Sequence, residues 1–338
     1  MSFIRFLMED QNLSFIKKIS PVVSTMLPVD EKITIRKCRY SPSDREPSGR
    51  ICIATGIHGD ELMGQLVVYN VAQKLSQYPN SLCGIVDIYP MLNPLGLDLT
   101  ERMVPSRTQL DMNRAFPGSP NGTPLENICW HLLQDMKDSN LVLDIHASTH
   151  FKSELFEIRI NAPFAQHLLP IAQQFNPDLI WIYPDSSAYG SSLSASLCDM
   201  GTDACIIEAD ERRRNPQEIA NRITDSIFSY MSYAGLWTES QPRIETKDIP
   251  IIRDRTEISR VTCEHAGIFI PENLLGQTIE KDVLLGKVIN ALTGETLEYV
   301  TSPCQGLVFS QRSYSSVYPG TLLARIHCTP LQTISTDS

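Results

Sequence analysis

Two short stretches of this chain pair imidazole with carboxylate in a way that could hold a cation. In Gly56-Ile57-His58-Gly59-Asp60-Glu61, a histidine stands three residues before a glutamate, directly after the apolar run Ile51 to Thr55 and directly before the helical pattern ELMGQLVVYNVAQKL. At a strand-to-helix turn that spacing can bring an imidazole nitrogen and a carboxylate oxygen onto one ion. Alone, the pair reads more readily as a loop histidine beside a helix-capping acid. In Asp144-Ile145-His146 a second histidine closes the run LVLDI, and catalytic zinc sites commonly join a close pair to a third ligand from a distant strand. Asp144 either orients His146 or serves loop donors.

Glu208 ends the run Ala204 to Ile207 and precedes the polar ADERRRN, so it is either a general base over a cleft or a surface group at a strand end. His58, His146 and Glu208 all fall at the carboxyl ends of apolar runs, where open α/β sheets place their ligands, so three separate elements converge on one rim. Asp111-Met112-Asn113-Arg114-Ala115-Phe116-Pro117-Gly118 supplies anion-binding groups: the planar fork of Arg114 matches a carboxylate, and Asn113 adds an amide donor. Arg102 and Arg107 are further candidates, with a loop salt bridge as the alternative for each.

The elements that must carry these residues are legible as alternation. From about residue 50 to 235, strand candidates Ile51 to Thr55, Ile85 to Tyr89, Leu141 to Ile145, Leu155 to Ile160, Leu179 to Tyr183 and Ala204 to Ile207 alternate with helical patterns, an α/β signature. Thr123-Pro124-Leu125-Glu126 and Asn215-Pro216-Gln217-Glu218 each order a capping residue, a first-turn proline and a reciprocal glutamate. The second of these helices is expected to run to Gly235, followed by the linker TESQPRIETKDIP. Beyond it, AGIFIP, KVINALTG, LEYVTSP and GLVFS predict a separate all-β domain. The division expected is a catalytic domain over 1–245 and a small β domain over 246–338.

With 338 residues and 42% hydrophobic content, the chain can bury a large core. A net charge of −10 offers no general attraction for phosphate backbones or anionic lipid, so neither nucleic acid nor membrane is an expected partner. The basic cluster Arg212-Arg213-Arg214 is bracketed by acids and reads as a solvated loop. Nine scattered cysteines without a Cys-x-x-Cys pair are expected to be free thiols of a reducing cytoplasm. No secretory pattern opens the chain, and no run approaches the length of a membrane span.

The ordered set GIHGDE, NPLG with Arg102, DMNRAFPG, DIHAS and Glu208 resembles the succinylglutamate desuccinylase/aspartoacylase family of the zinc carboxypeptidase superfamily over roughly residues 50–210. The β-rich tail resembles the one appended in bacterial members. His-x-x-Glu is unspecific, whereas five motifs in family order are not. The resemblance implies an α/β, zinc-carboxypeptidase-like fold, a mixed central sheet flanked by helices, with a small C-terminal all-β domain. It implies one Zn²⁺ per chain on His58, Glu61 and His146, Glu208 as general base, Arg102 polarising the scissile carbonyl, and Asn113 and Arg114 gripping a substrate carboxylate. The implied activity is hydrolysis of an amide bond in a small, carboxylate-bearing N-acyl amino acid, of deacylase, desuccinylase or aspartoacylase type.

Two departures are visible. Arg107 stands between Arg102 and Asn113, whose separation is longer than the family's, so the oxyanion role can pass to Arg107. Ala209-Asp210-Glu211 replaces the glycine-containing turn that the family places after the general base. Tyr189 is a candidate substrate-contacting phenol and His150 a candidate lining residue, while His131, His167, His265 and His327 lack ligand-like partners. The alternatives are a metallocarboxypeptidase or peptidoglycan-peptide amidase acting on short peptides, or a non-catalytic metal-binding scaffold. Homo-oligomer formation is left open.

Overall fold

Strands apolar on both faces must be covered on both faces, and the runs around residues 51, 86, 142 and 205 become the middle of one sheet for that reason. The computed structural model describes residues 15–26, 30–105, 110–148, 151–184, 191–210, 215–239 and 248–328. Its first ten strands are β1 (Phe15–Met26), β2 (Lys32–Pro42), β3 (Arg50–Thr55), β4 (Ile85–Tyr89), β5 (Leu141–Ala147), β6 (Lys152–Glu154), β7 (Glu157–Asn161), β8 (Leu179–Tyr183), β9 (Ala204–Ala209) and β10 (Ile251–Ile252). Nine of them form a mixed sheet in the order β1-β2-β4-β3-β5-β9-β7-β8-β10. The helices are α1 (Met63–Gln77), α2 (Pro94–Leu99), α3 (Pro124–Met136), α4 (Ala165–Gln173), α5 (Leu193–Asp199) and α6 (Pro216–Tyr233).

Strands β4, β3, β5 and β9 run parallel, and β7 enters antiparallel to β9. The carboxyl ends of β3, β5 and β9 therefore lie side by side, and the register pairs His146 with Glu208 and Glu208 with Glu157. An antiparallel neighbour at this point brings the start of β7 to the same rim as the ends of β5 and β9.

Several expected elements shift. The strand expected over Leu155 to Ile160 begins later, as β7 at Glu157: Leu155 packs with Trp181 and Phe309, just after β6, which ends at Glu154 and pairs outside the main sheet. The antiparallel hairpin of β1 and β2 lies ahead of the region read as α/β and joins the sheet at β4. There Lys37, Arg39 and Arg50 all reach the fully buried Asp87, at 3.3, 2.7 and 2.9 Å. Helix α6 ends at Tyr233, with Gly235 at φ +72°. Of the expected linker, residues 240–247 lie outside the described ones.

The remaining strands are β11 (Ile258–Thr262), β12 (Gly267–Pro271), β13 (Thr278–Ile279), β14 (Leu284–Ile289), β15 (Thr296–Thr301), β16 (Gly306–Arg312), β17 (Ser315–Val317) and β18 (Leu322–Cys328). They form two sheets, β11-β18-β16-β13 and β15-β14-β12-β17, packed over Phe269, Leu285, Val308 and Ile326. Two strands stitch these sheets to the first: β6 pairs antiparallel with β16, and β10 adds to β8. The cysteines are not all free. Cys304 and Cys328 form a disulfide because the pairing of β16 with β18 brings together residues far apart in sequence; seven others are thiols. No described helix is long and apolar enough to cross a membrane.

Both expected helix starts form. At α3, Thr123 Oγ1 accepts from the Glu126 amide while Glu126 Oε2 accepts from the Thr123 amide at 2.7 Å. Thr123→Ala is expected to cost about 0.5–2 kcal/mol, read as a lower urea midpoint at unchanged slope.

Candidate metal centre and its cavity

Two glycines set the turn that presents His58. Gly56 sits at φ +69°, and a Cβ on Gly59 would lie 2.0 Å from the Gly96 carbonyl carbon, inside main chain that cannot yield. The loop therefore presses against the start of α2, and the Gly59 amide donates to the Glu101 carbonyl at 3.0 Å. That contact delivers the neighbouring Arg102 to Glu61, Nη1 to Oε1 at 2.6 Å. The helix-capping alternative for Glu61 does not hold: the residue before α1 is Leu62, and the Glu61 carboxylate turns inward, 5% exposed.

His58, Glu61 and His146 are all buried, with ligand-type atoms within 4.8 Å of one another. His58 Nδ1 lies 2.8 Å from Glu61 Oε1, His146 Nδ1 lies 2.9 Å from Oε2, and the two Nδ1 atoms are 3.2 Å apart. Each ring turns its other nitrogen to a carboxylate: His58 Nε2 to Asp111 at 3.3 Å, and His146 Nε2 to Asp144 at 3.1 Å. A proton on each Nε2 leaves both Nδ1 lone pairs aimed at each other and at a carboxylate. Such a buried cluster of acceptors requires positive charge at its centre, and a divalent cation fits it. The same geometry acts on the protons. Burial opposes charge on Glu61, yet the two imidazoles hold its carboxyl well below the usual range; burial disfavours the His146 imidazolium, yet Asp144 and Glu61 raise its pKa well above the ordinary value.

Glu208 stands beside His146 on β9, and its partner is a residue not singled out from the sequence. Arg159 of β7 donates from Nη1 to Glu208 Oε1 at 2.5 Å, and also binds Glu157 and, at 3.5 Å, Glu154. Its guanidinium lies over the Tyr183 and Trp181 rings, 5.3 and 5.5 Å from their centroids. Burial pushes the Glu208 carboxyl up against the pull of Arg159, and pushes Glu157 up to about 7. The one signal was the pair of charges, Glu157 and Arg159, within the strand candidate LFEIRI.

The loop expected to bind an anion is built from Asp111, whose Oδ1 accepts from the Asn113 amide at 2.9 Å as it touches His58. Asn113 Oδ1 accepts from the Leu193 amide at 3.0 Å, which fixes the orientation of its side-chain amide. Arg114 donates to the Asn113 carbonyl at 2.8 Å. These groups share a cavity of about 180 Å³ lined by His58, Glu61, His146, Arg102, Asn113, Arg114, Glu208, Arg159, Lys152, Glu154 and Arg325, among others. A larger cleft of about 620 Å³ near Glu218 and Tyr314 contains none of the candidate residues. Arg107 and Tyr189 lie outside the described residues, as do His150 and Arg212–Arg214. His131 packs on Trp130, and His167, His265 and His327 pair with Asp203, Glu298 and Glu257, away from the cavity.

The model of the succinylglutamate desuccinylase/aspartoacylase catalytic domain family matches residues 47–234. An N-alpha-acetyl-L-2,4-diaminobutyric acid deacetylase of Halomonas elongata is 24% identical over 292 residues, 80% of each chain. The product-bound ectoine utilization protein EutE (DoeB) of Ruegeria pomeroyi superimposes with a TM-score of 0.75 at 18% identity, covering 94% of this chain and all of that one. A metallo-carboxypeptidase of Burkholderia cenocepacia shares the fold over 65% of this chain and 64% of its own, with a TM-score of 0.52 at 11% identity.

Proposed function

The chain belongs to the succinylglutamate desuccinylase/aspartoacylase family, and from that premise we propose that it is a zinc-dependent hydrolase of the amide bond in a small, carboxylate-bearing N-acyl amino acid. The observation that carries this reading is the meeting, in one cavity of about 180 Å³, of the His58–Glu61–His146 cluster, Glu208 and the Asn113–Arg114 pair. Two imidazoles and a carboxylate suit zinc and leave a position open for chemistry. Zinc held there supplies Lewis acidity to the scissile carbonyl and to an attacking water.

The chain's own residues do the rest. Glu208 takes the proton of the attacking water and returns it to the leaving nitrogen. Arg102 has donors beyond the Nη1 that holds Glu61, and these stabilise charge growing on the carbonyl oxygen. Asn113 and Arg114 grip the carboxylate and fix the amide beside Glu208. Against a carboxypeptidase or peptidoglycan-peptide amidase stands the side of the cavity that meets the C-terminal strands: β6 is paired to β16, and Arg325 of β18 lines the cavity, which narrows the room for a longer peptide. A cytoplasmic setting is supported by the seven thiols, with the Cys304–Cys328 pair the exception.

Hydrolysis of N-acetyl, N-succinyl and N-formyl amino acids and of short peptides by metal-loaded protein tests the reading. Turnover of the peptides alone overturns it. Within the active series, Arg114→Lys keeps the charge but loses the bidentate fork, and is expected to lower kcat/KM by roughly 30-fold, the low end for breaking a buried charge pair. The penalty should fall on the free acid and spare its carboxamide. Equal losses on both substrates would make Arg114 a support of the loop only.

A further inference from the structure

Across β5, β9 and β7 the register lines up three side chains on one face of the sheet: His146 beside Glu208, and Glu208 beside Glu157. Like charges directly opposite one another on paired strands repel, and here Glu157 is fully buried while the Glu208 side chain is only 13% exposed. Arg159 stands two residues further along β7, on the same face. From there its guanidinium donates from Nε to Glu157 Oε1 at 2.5 Å and from Nη1 to Glu208 Oε1 at 2.5 Å.

Arg159 belongs to a linked, balanced cluster in which Lys152, Arg159 and Arg325 face Glu154, Glu157 and Glu208. The contacts within it are uneven. Lys152 and Arg325 reach Glu154 at 2.9 and 3.0 Å, whereas Arg159 comes no nearer to it than 3.5 Å. Among the described residues, Arg159 is the one cation paired with Glu157 and with Glu208. Its plane is set as well: the register places it next to Trp181 of β8, and the guanidinium lies over the Trp181 and Tyr183 rings. Glu157 therefore holds one edge of the fork, the rings hold its face, and Nη1 is delivered to Glu208.

Stability does not account for this arrangement, because apolar side chains of similar volume in place of a buried ion pair are often neutral or stabilising. What it does accomplish is to engage one oxygen of Glu208 and leave the other. Oε1 is taken by Arg159, Oε2 has no hydrogen-bond partner among the described residues, and the side chain lines the cavity that holds the metal cluster.

We infer that Arg159, braced by Glu157 and by the aromatic rings of β8, is a positioning residue for the general base: it fixes Glu208 through Oε1 and so presents Oε2 to the attacking water. The inference rests on the hydrolase reading and on Glu208 as its base. A lysine at this position would keep the charge but, as a point charge on a flexible stem, would lose the planar fork that ties Glu157 and Glu208 together.

A double-mutant cycle of Arg159→Lys and Glu208→Gln tests the inference, on metal-loaded protein with the N-acyl amino acid that wild type hydrolyses fastest. Arg159→Lys leaves a cation against both carboxylates and is expected to fold. With Glu208 in place it should lower kcat by about 10- to 100-fold, the scale of misplacing a reacting group by about 1 Å, while KM and metal content match wild type. In the Glu208→Gln background the same substitution should change kcat by less than about 3-fold, because the group it positions no longer takes the proton. Equal proportional losses in the two backgrounds would make Arg159 a structural ion pair only, and an unchanged kcat in Arg159→Lys would overturn the role outright. Arg159→Ala, assayed with and without methylguanidinium, repeats the comparison without a new side chain. Rescue of kcat confined to protein that carries Glu208 supports the role; rescue in both backgrounds overturns it. If wild type turns over no N-acyl amino acid or short peptide, the hydrolase reading fails and the positioning role with it, whereas turnover with an additive cycle removes the positioning role alone.

Discussion

Replacing His146 with alanine is expected to yield protein that retains no stoichiometric metal and has no measurable turnover. The ring is buried against Glu61 and His58, and no other described residue joins that cluster. Loss of a hydrogen-bond partner behind a ligand already weakens metal binding by about 10- to 100-fold; loss of one of three ligands should exceed that. The alanine also leaves Asp144, fully buried, facing a void in place of an imidazole. Stranding a buried charge costs about 3–5 kcal/mol, so apparent metal loss has to be separated from unfolding. Asp144→Asn provides the separation, since it keeps the ligand and removes only the carboxylate behind it. The expected order of metal content by elemental analysis is wild type, then Asp144→Asn, then His146→Ala. Full metal retention in a folded His58→Ala/His146→Ala double variant would show that the ion is held elsewhere.

That His146 could be singled out at all follows from how parallel strands encode themselves. LVLDI and ACII are buried on both faces, so they read as apolar runs, broken only by Asp144, and the polar residue that closes each marks the rim. His58, His146 and Glu208 were legible by that rule, as were the helix starts at Thr123 and Asn215, whose capping is local. What depends on register between distant segments was not. The strand FIKKISPVVSTM alternates buried with exposed positions too irregularly to declare itself, and its partner is known only through pairing. Arg159 has the guise of a solvent-facing residue within EIRI until β7 is laid antiparallel to β9 and its guanidinium meets Glu208. Arg325 enters the cavity only because β16 joins β6 to β18, and the same pairing brings Cys328 to Cys304. Asp111 was visible as part of a motif, but its contact with His58 is a product of the Gly59–Gly96 approach that folds one loop onto another.

Glu208→Gln is expected to keep metal and fold while reducing kcat by about 10²- to 10⁴-fold, the contribution of a positioned acid–base group. The substitution is nearly isosteric, and the glutamine carbonyl can still accept the hydrogen bond from Arg159 that now reaches Glu208 at 2.5 Å. Arg159 does not become an unpaired buried cation, because Glu157 and Glu154 remain against it. Glu208 also lies outside the His58–Glu61–His146 cluster, so metal content should match wild type. What the amide cannot do is take a proton from the attacking water and return it to the leaving nitrogen, so the loss should appear in kcat, with KM little changed. Glu208→Asp provides the graded comparison: it retains the charge but withdraws it by one methylene, and a misplacement of about 1 Å can cost up to 10²-fold. Recovery of activity in the order glutamate, aspartate, glutamine identifies proton transfer as the function lost. Near-normal turnover in Glu208→Gln would reduce Glu208 to a counter-ion of Arg159. The proton acceptor would then have to be sought at Glu154, the other carboxylate outside the metal cluster that lines the cavity.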